Sequence, residues 1–242
     1  MSAPKSAPKV AMVMAAGLGT RMRPLTDDRP KALVEVAGRA LIDHMLDRLA
    51  DAGVETAVVN VHYFADKVEA HLASRAHPRI VISDERDALL ETGGGLRKAR
   101  PLLGDDPVWV ANIDAIWTED AGPALDHMAR VWDSETMDAC LLVAPMDRTL
   151  GFDGPGDFFL DAAARIAFRG DAPSAPYAFA GVQITKPQIV DAQPIESFSL
   201  RRVWRPLAAA GRMTGAVLDG FWMHVGDPQA LVEAEKALAE QR

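Results

Sequence analysis

The feature that most narrows the possible folds is the alternation of short apolar runs with helically spaced segments between residues 10 and 145. Residues 10–16 form an apolar run ended by glycine, as a parallel strand reads when helices cover both of its faces. Over 40–52, Leu41, Ile42, Met45, Leu46 and Leu49 recur at helical spacing, and Gly53 closes the segment as a C-terminal cap. The spacing then predicts a strand over 56–61, helix 65–74, strand 79–83, helix 94–103, strand 107–112, helix 121–133 and strand 139–145. Alternation of this kind implies a three-layer α/β/α architecture around a right-handed, mostly parallel, Rossmann-like sheet. Ligands in such sheets bind beyond the carboxyl ends of the strands.

After residue 150 the pattern loosens. Residues 150–180 are rich in Gly, Asp, Ala and Pro and are expected to form strands and loops over one side of the pocket. Residues 181–185, 216–219 and 221–225 read as short strands, and 228–241 as an amphipathic closing helix. The expected organisation is a flexible tail over 1–9 and one domain over 10–242, with a first part over about 10–115 and a second over about 116–242.

A chain of 242 residues, 49% hydrophobic and 25% charged, is large enough for one such core. A net charge of −8 argues against a general nucleic-acid binder, so small-molecule partners are expected. The single cysteine, Cys140, lies in an apolar run and is expected to pack in the core, without a disulfide framework or a cysteine zinc site. No run reaches the roughly 20 apolar residues of a membrane span, and the N-terminus lacks the apolar centre of a signal peptide. A soluble cytoplasmic protein without a membrane partner, monomer or homodimer, is the expectation.

The strongest chemical signal is the segment leaving the first strand, from Ala15, Ala16 and Gly17 to Lys31, which carries Arg21, Arg23, Arg29 and Lys31. Gly17 and Gly19 allow close backbone approach, so that N–H groups can cradle phosphate oxygens while Arg21 and Lys31 add charge. The spacing G-x-G-x-R-x-x-P-x-T, followed five residues later by Lys31, resembles the signature of the sugar-1-phosphate nucleotidyltransferase family, which has the nucleotide-diphospho-sugar transferase fold. The resemblance implies in-line attack of a sugar 1-phosphate on the α-phosphorus of a nucleoside triphosphate, with pyrophosphate leaving. It assigns catalysis to Arg21 and Lys31, and nucleotide contacts to Ala15, Ala16, Gly17, Gly19 and Thr20. Preplaced cations and donors carry most of such a reaction. Loss of Lys31 is expected to slow it with little change in melting temperature.

Residues 90–96, with Gly93, Gly94 and Gly95 in succession, lie just before the helix expected at 94 and resemble the family's second nucleotide loop. Thr92, Gly93 and Gly94 are accordingly expected at base and ribose. Asp114 follows the strand at 107–112, and the resemblance gives it Mg²⁺, a cation suited to hard oxygen ligands. The family commonly shows W-x-D-x-G-T near its C-terminus, whereas this chain reads Trp222-Met223-His224-Val225-Gly226-Asp227. Strand alternation puts Trp222 and His224 on one face. His224 is a candidate second metal ligand, shifting preference toward Mn²⁺, or a phosphate contact, or else a structural residue.

No Glu-Lys-Pro stretch occurs, and residues 154–158 and 91–95 resemble the branch of the family that uridylylates muramic acid 1-phosphates in cell-wall recycling. UTP and an N-acetylmuramate 1-phosphate are the expected substrates. The alternatives are guanylyl transfer to mannose or heptose 1-phosphate and a catalytically weak nucleotide-sugar-binding regulatory subunit. Expected sugar contacts are Asn112, Asp157, Gly181 and Arg205. Arg201, Arg202 and Arg205 are candidate cations for the lactyl carboxylate, or else an exposed helix face. No hexapeptide repeat follows, so an appended acetyltransferase β-helix is not expected.

Overall fold

A computed structural model describes residues 7–240. In its first half the elements follow one another as β1 (Val10–Met14), β2 (Glu35–Val36), β3 (Arg39–Ala40), α1 (Leu41–Asp51), β4 (Thr56–Val61), α2 (Ala65–Leu72), β5 (Arg79–Asp84), α3 (Glu91–Leu103) and β6 (Val108–Asn112). Next come β7 (Ala115–Trp117), α4 (Ala124–Val131), β8 (Ala139–Pro145), β9 (Thr149–Leu150), β10 (Phe158–Leu160), β11 (Ile166–Phe168) and β12 (Tyr177–Thr185). The second half ends with α5 (Arg201–Ala209), β13 (Met213–Val217), β14 (Trp222–His224) and α6 (Pro228–Ala239).

The central sheet is mixed. Its order is β11-β10-β12-β6-β1-β4-β5, with β8 against β12 and β13 against β8. The half that the alternation describes, β5-β4-β1-β6, is parallel throughout. Beyond β6 the pairing turns antiparallel, because β12 runs against both β6 and β8. The chain leaves β1 for β4 on one side and returns to β6 on the other, so the strand order reverses at β1 and opens a crevice beyond Met14 and Asn112.

Two apolar layers hold the sheet, one on each face. Leu41, Ile42, Met45, Leu46 and Leu49 of α1 are fully buried on one face, as their spacing requires. Leu96 and Ala99 of α3 and Val203 and Trp204 of α5 pack against the other with Met12, Val110 and Leu141. Each large side chain buried in this way stabilises the fold by roughly 1.5–3 kcal/mol. Cys140 is buried in β8, and burial pushes its thiol up to about 11, which makes it a packing residue. Among the described residues no helix is long and apolar enough to cross a membrane.

Several boundaries differ from the sequence reading. α4 starts at Ala124 because Gly122 and Pro123 hold the preceding residues out of the helix. Helix α3 begins at Glu91, so the glycine run lies inside it. Residues 8 and 9 of the expected tail are tied to the body: the Pro8 carbonyl accepts from Trp109 Nε1, and the Lys9 carbonyl accepts from the amides of Glu55 and Thr56. Residues 1–6 of that tail, and Gln241 of the expected closing helix, lie outside the described residues.

The antiparallel half is fastened by Asp138, which precedes β8. Its carboxylate accepts from Arg212 Nη2 at 2.9 Å and Lys186 Nζ at 2.8 Å, and also from Arg212 Nε. The Arg212 hydrogen bonds, opposed by burial and helped by Lys186, hold this carboxyl down at about 2. A folded-state value below the free value of 3.8 means stability that is present above about pH 4 and lost as pH falls toward 2. Both cations are about a third exposed, so solvent screening reduces the contribution to about 1–2 kcal/mol. Asp138→Asn should therefore melt a few degrees below the parent at pH 7, with the gap narrower at pH 3. A gap of the same size at both pH values would contradict this.

Candidate active site

The loop after β1 descends from the crevice and returns to it. Ala15 and Ala16, at its start, are buried, and their N–H groups donate to Asn60 Oδ1 at 2.7 and 3.3 Å. They therefore face the crevice as packing surface, with their amides already satisfied by β4. Asn60 Nδ2 donates in turn to Glu85 Oε1 at 2.8 Å, and burial raises the Glu85 carboxyl. Sequence reading passed over this relay; its only signal was an amide inside the otherwise apolar strand Thr56–Val61.

Gly17 is exposed, with nothing within 4 Å of where its Cβ would stand. The amides of Gly17 and Leu18 have no hydrogen-bond partner among the described residues, so they are available to an anion. A 3₁₀ turn over Thr20–Met22 follows, and Met22 N–H and Thr26 Oγ1 both donate to the Gly19 carbonyl. Arg21 lies on this turn and reaches the cleft beside His224, forming no ion pair among the described residues.

Lys31, at the start of a second 3₁₀ turn, places its ammonium 2.7 Å from Asp114 Oδ2. Asp114 directly follows β6, and its backbone carbonyl accepts from Val225 N–H, which draws the end of β14 alongside. His224 is thereby brought to Asp114: Nε2 stands 3.4 Å from Oδ2, while Nδ1 faces the Gly151 carbonyl at 3.1 Å. A proton on Nδ1 serves the carbonyl, and Nε2 is the nitrogen left to meet a proton or a cation. Burial alone would push the Asp114 carboxyl up; the Lys31 ammonium and the His224 imidazole overcome it and hold the group well below the usual carboxylate range. Trp222 and His224 share one face, with rings stacked at 5.8 Å and 25°.

Two cavities meet here. One is lined by Ala15, Ala16, Gly17, Asn60 and Glu85, the other by Arg21, Asp157, Gly181, Arg201, Trp222 and His224. Both share Glu91, Thr92, Asn112 and Asp114, so they are two halves of one cleft joined at the Lys31–Asp114 pair. Gly181 sits at a β-bulge with φ +86°, and a Cβ there would come within 2.7 Å of Ala115 Cβ. Its glycine answers backbone conformation and packing against β7 as well as space for a ligand. Asp157 Oδ2 accepts from Phe179 N–H, and Oδ1 accepts from Arg201.

Five predicted contacts do not line the cleft: Gly19 and Thr20, at the turn that carries Arg21, and Gly93, Gly94 and Arg205. Inside α3, a Cβ on Gly93 would stand 2.3 Å from the Phe198 ring, and one on Gly94 would stand 2.0 Å from the Glu196 carbonyl oxygen. These glycines let the helix pack under the segment that leads into α5, and Gly95 leaves room for the Glu85–Asn60 pair. Thr92 does line the cleft, with Oγ1 accepting from Leu200 N–H at 3.0 Å. Arg205 stacks its guanidinium over Phe168 at 4.9 Å, and Arg202 covers Phe198 and pairs with Glu196. Of the three arginines only Arg201 faces the cleft.

Comparison with known proteins agrees with this geometry. The family model described as nucleotidyl transferase matches residues 10–152. The N-acetylmuramate alpha-1-phosphate uridylyltransferase of Caulobacter vibrioides is 60% identical over 97% of this chain and 98% of its own. The protein of the same name from Neisseria meningitidis is 34% identical over 93% and 96%. A UDP-glucose pyrophosphorylase solved with UDP-glucose shares the fold, with a TM-score of 0.75 and 18% identity over 97% of this chain and 99% of its own. The crevice at the strand reversal, the free amides after β1 and the Lys31–Asp114 junction thus sit in a chain that belongs to the nucleotidyl transferase family.

Proposed function

We propose that this enzyme transfers a uridylyl group from UTP to the phosphate of N-acetylmuramate 1-phosphate. The observation that carries the reading is the two-sided cleft, whose halves share Asn112 and Asp114 at the Lys31 ammonium. A nucleotide in one half and a sugar phosphate in the other would bring their phosphates together there. A sugar-phosphate oxygen bonds to the α-phosphorus, and the bond to the bridging β-phosphate oxygen breaks, its electron pair leaving with pyrophosphate. The attacking phosphate is already ionised at neutral pH, so no general base is required.

The free amides of Gly17 and Leu18 and the Arg21 guanidinium would hold the triphosphate, and Lys31 would meet the α-phosphoryl or the attacking phosphate. Donors fixed before the reaction stabilise charge as it develops without reorganising. The base and sugar follow from the Caulobacter relative, which is named for this reaction. Arg201, paired with Asp157 in the sugar half, is the cation for the lactyl carboxylate. With these substrates the enzyme would act in cell-wall salvage.

Among the described residues no group of three or more His, Cys, Asp and Glu side chains could hold a metal alone. Magnesium is nonetheless compatible with the junction, because it commonly takes one or two carboxylates and completes its shell with phosphate and water. Asp114 would hold it, with His224 Nε2 as a nitrogen donor that favours Mn²⁺. The bound ion would neutralise charge on the triphosphate.

Pyrophosphate release by purified protein, measured across four nucleoside triphosphates and a panel of sugar 1-phosphates, tests the reading. UTP with N-acetylmuramate 1-phosphate should give the highest kcat/KM. GTP with mannose or heptose 1-phosphate as the best pair would replace it by a guanylyltransferase. Silence across the panel would leave a nucleotide-sugar-binding regulatory protein.

A further inference from the structure

The sugar half of the cleft has a polar floor whose hydrogen-bonding capacity is unfilled. Gln183 of β12 is fully buried and lines this half, and neither its Oε1 nor its Nε2 has a partner among the described residues. Trp204 of α5 lines the same half, and its buried indole N–H is likewise unpaired among the described residues. Buried polar groups are nearly always hydrogen-bonded, and leaving one unpaired opposes folding. The strand position itself does not call for an amide. In register Gln183 lies between Val110 of β6 and Leu141 of β8, where an aliphatic side chain would satisfy the packing.

We infer that Gln183, with the Trp204 indole in the same lining, selects the acetamido group of the sugar. The inference rests on the substrate reading above and extends it to a residue that fixes specificity. A carboxamide presents one acceptor oxygen and an NH₂ donor; an acetamido group presents one N–H and one carbonyl, so the two can pair at two points. The Trp204 N–H is a further donor for the same carbonyl. A hydroxyl at that carbon offers a single atom and an ammonium offers donors alone, so neither fills the floor. Sites that hydrogen-bond a substrate group discriminate strongly against analogues lacking it, because their own buried groups then stay unpaired.

The test compares N-acetylmuramate 1-phosphate with de-N-acetylated muramate 1-phosphate, at saturating UTP, in the parent enzyme and in Gln183→Leu and Gln183→Met. The parent should favour the acetamido sugar by at least about 100-fold in kcat/KM. In both variants that preference should fall below about 10-fold, through KM for the acetylated sugar, with KM for UTP unchanged and melting temperature equal or higher. Folded variants that keep the parent's preference would overturn the inference while the uridylyl reading stands. A parent enzyme inactive on N-acetylmuramate 1-phosphate would remove that reading and the inference with it. Should both variants unfold, the parent chain labelled with ¹⁵N at its five glutamines decides. One solvent-shielded side-chain amide should shift with UDP-N-acetylmuramate and not with UDP, and the absence of any such shift would overturn the inference.

Discussion

Turnover of Lys31→Ala should fall by on the order of 10²–10³, equivalent to about 3–4 kcal/mol of lost transition-state stabilisation. Among the described residues the ammonium is the one lysine charge lining the joint between the two halves of the cleft, where the proposed reaction builds charge as pyrophosphate leaves. The effect should appear in kcat more than in KM for either substrate, because the contact strengthens as the reaction proceeds. The loop position alone suggested no effect on stability, but the structure changes that expectation. Lys31 is only 11% exposed, and its loss leaves the Asp114 carboxylate with the His224 imidazole as its remaining close partner. Leaving a buried polar partner unpaired costs about 1–3 kcal/mol, so the melting temperature should drop by a few degrees. Assays at 25 °C separate the two effects. A variant that melts a few degrees lower and turns over normally would exclude Lys31 from the chemistry.

Asp114→Asn should lose activity on the order of 10²–10³ or more, with a smaller change in melting temperature than Lys31→Ala. Asparagine keeps the shape and an oxygen that accepts from Lys31, so packing survives while the negative charge is lost. The proposed cation would then lack the carboxylate that faces Lys31 and His224 at the joint. Raising Mg²⁺ or Mn²⁺ should recover little, whereas His224→Ala, which spares that carboxylate, should alter the relative efficacy of the two metals and retain more turnover. Near-parental activity in Asp114→Asn would remove the metal assignment.

Much of the parallel half was legible because its signals are local. A strand buried on both faces must be apolar, as Val10–Met14 is and as Val108–Asn112 is up to its last residue, and α1 must repeat its apolar positions at helical spacing. Asp114 was legible for the same reason: a polar residue just after an apolar strand lies in the crevice by topology. His224 came from the resemblance, as the residue in the aspartate position of W-x-D-x-G-T, and two-residue alternation added that it shares a face with Trp222. The antiparallel half was not readable in this way, because β12 bulges at Gly181 and changes register between Phe179 and Gln183.

The residues that sequence reading missed depend on partners distant along the chain. The three consecutive glycines look like a ligand loop, and only the packing of Phe198, Glu196 and the Asn60–Glu85 pair against α3 shows what their missing side chains allow. Arg205 was one of three arginines on a short helix, and the ring it covers, Phe168, comes from a strand with no sequence link to it. Asn60 and Gln183 are single amides in apolar strands, which pattern counts as interruptions. Their hydrogen-bonding state, satisfied for Asn60 and unfilled for Gln183, separates a structural relay from a floor that awaits a ligand.

The most direct test of nucleotidyl transfer in this cleft follows the α-phosphorus itself. With UTP labelled at the α-phosphate and with N-acetylmuramate 1-phosphate and Mg²⁺ present, the label should pass into UDP-N-acetylmuramate in one-to-one proportion with pyrophosphate, and only when the sugar phosphate is supplied. Label released as free UMP, or pyrophosphate formed without the sugar phosphate, would contradict the account.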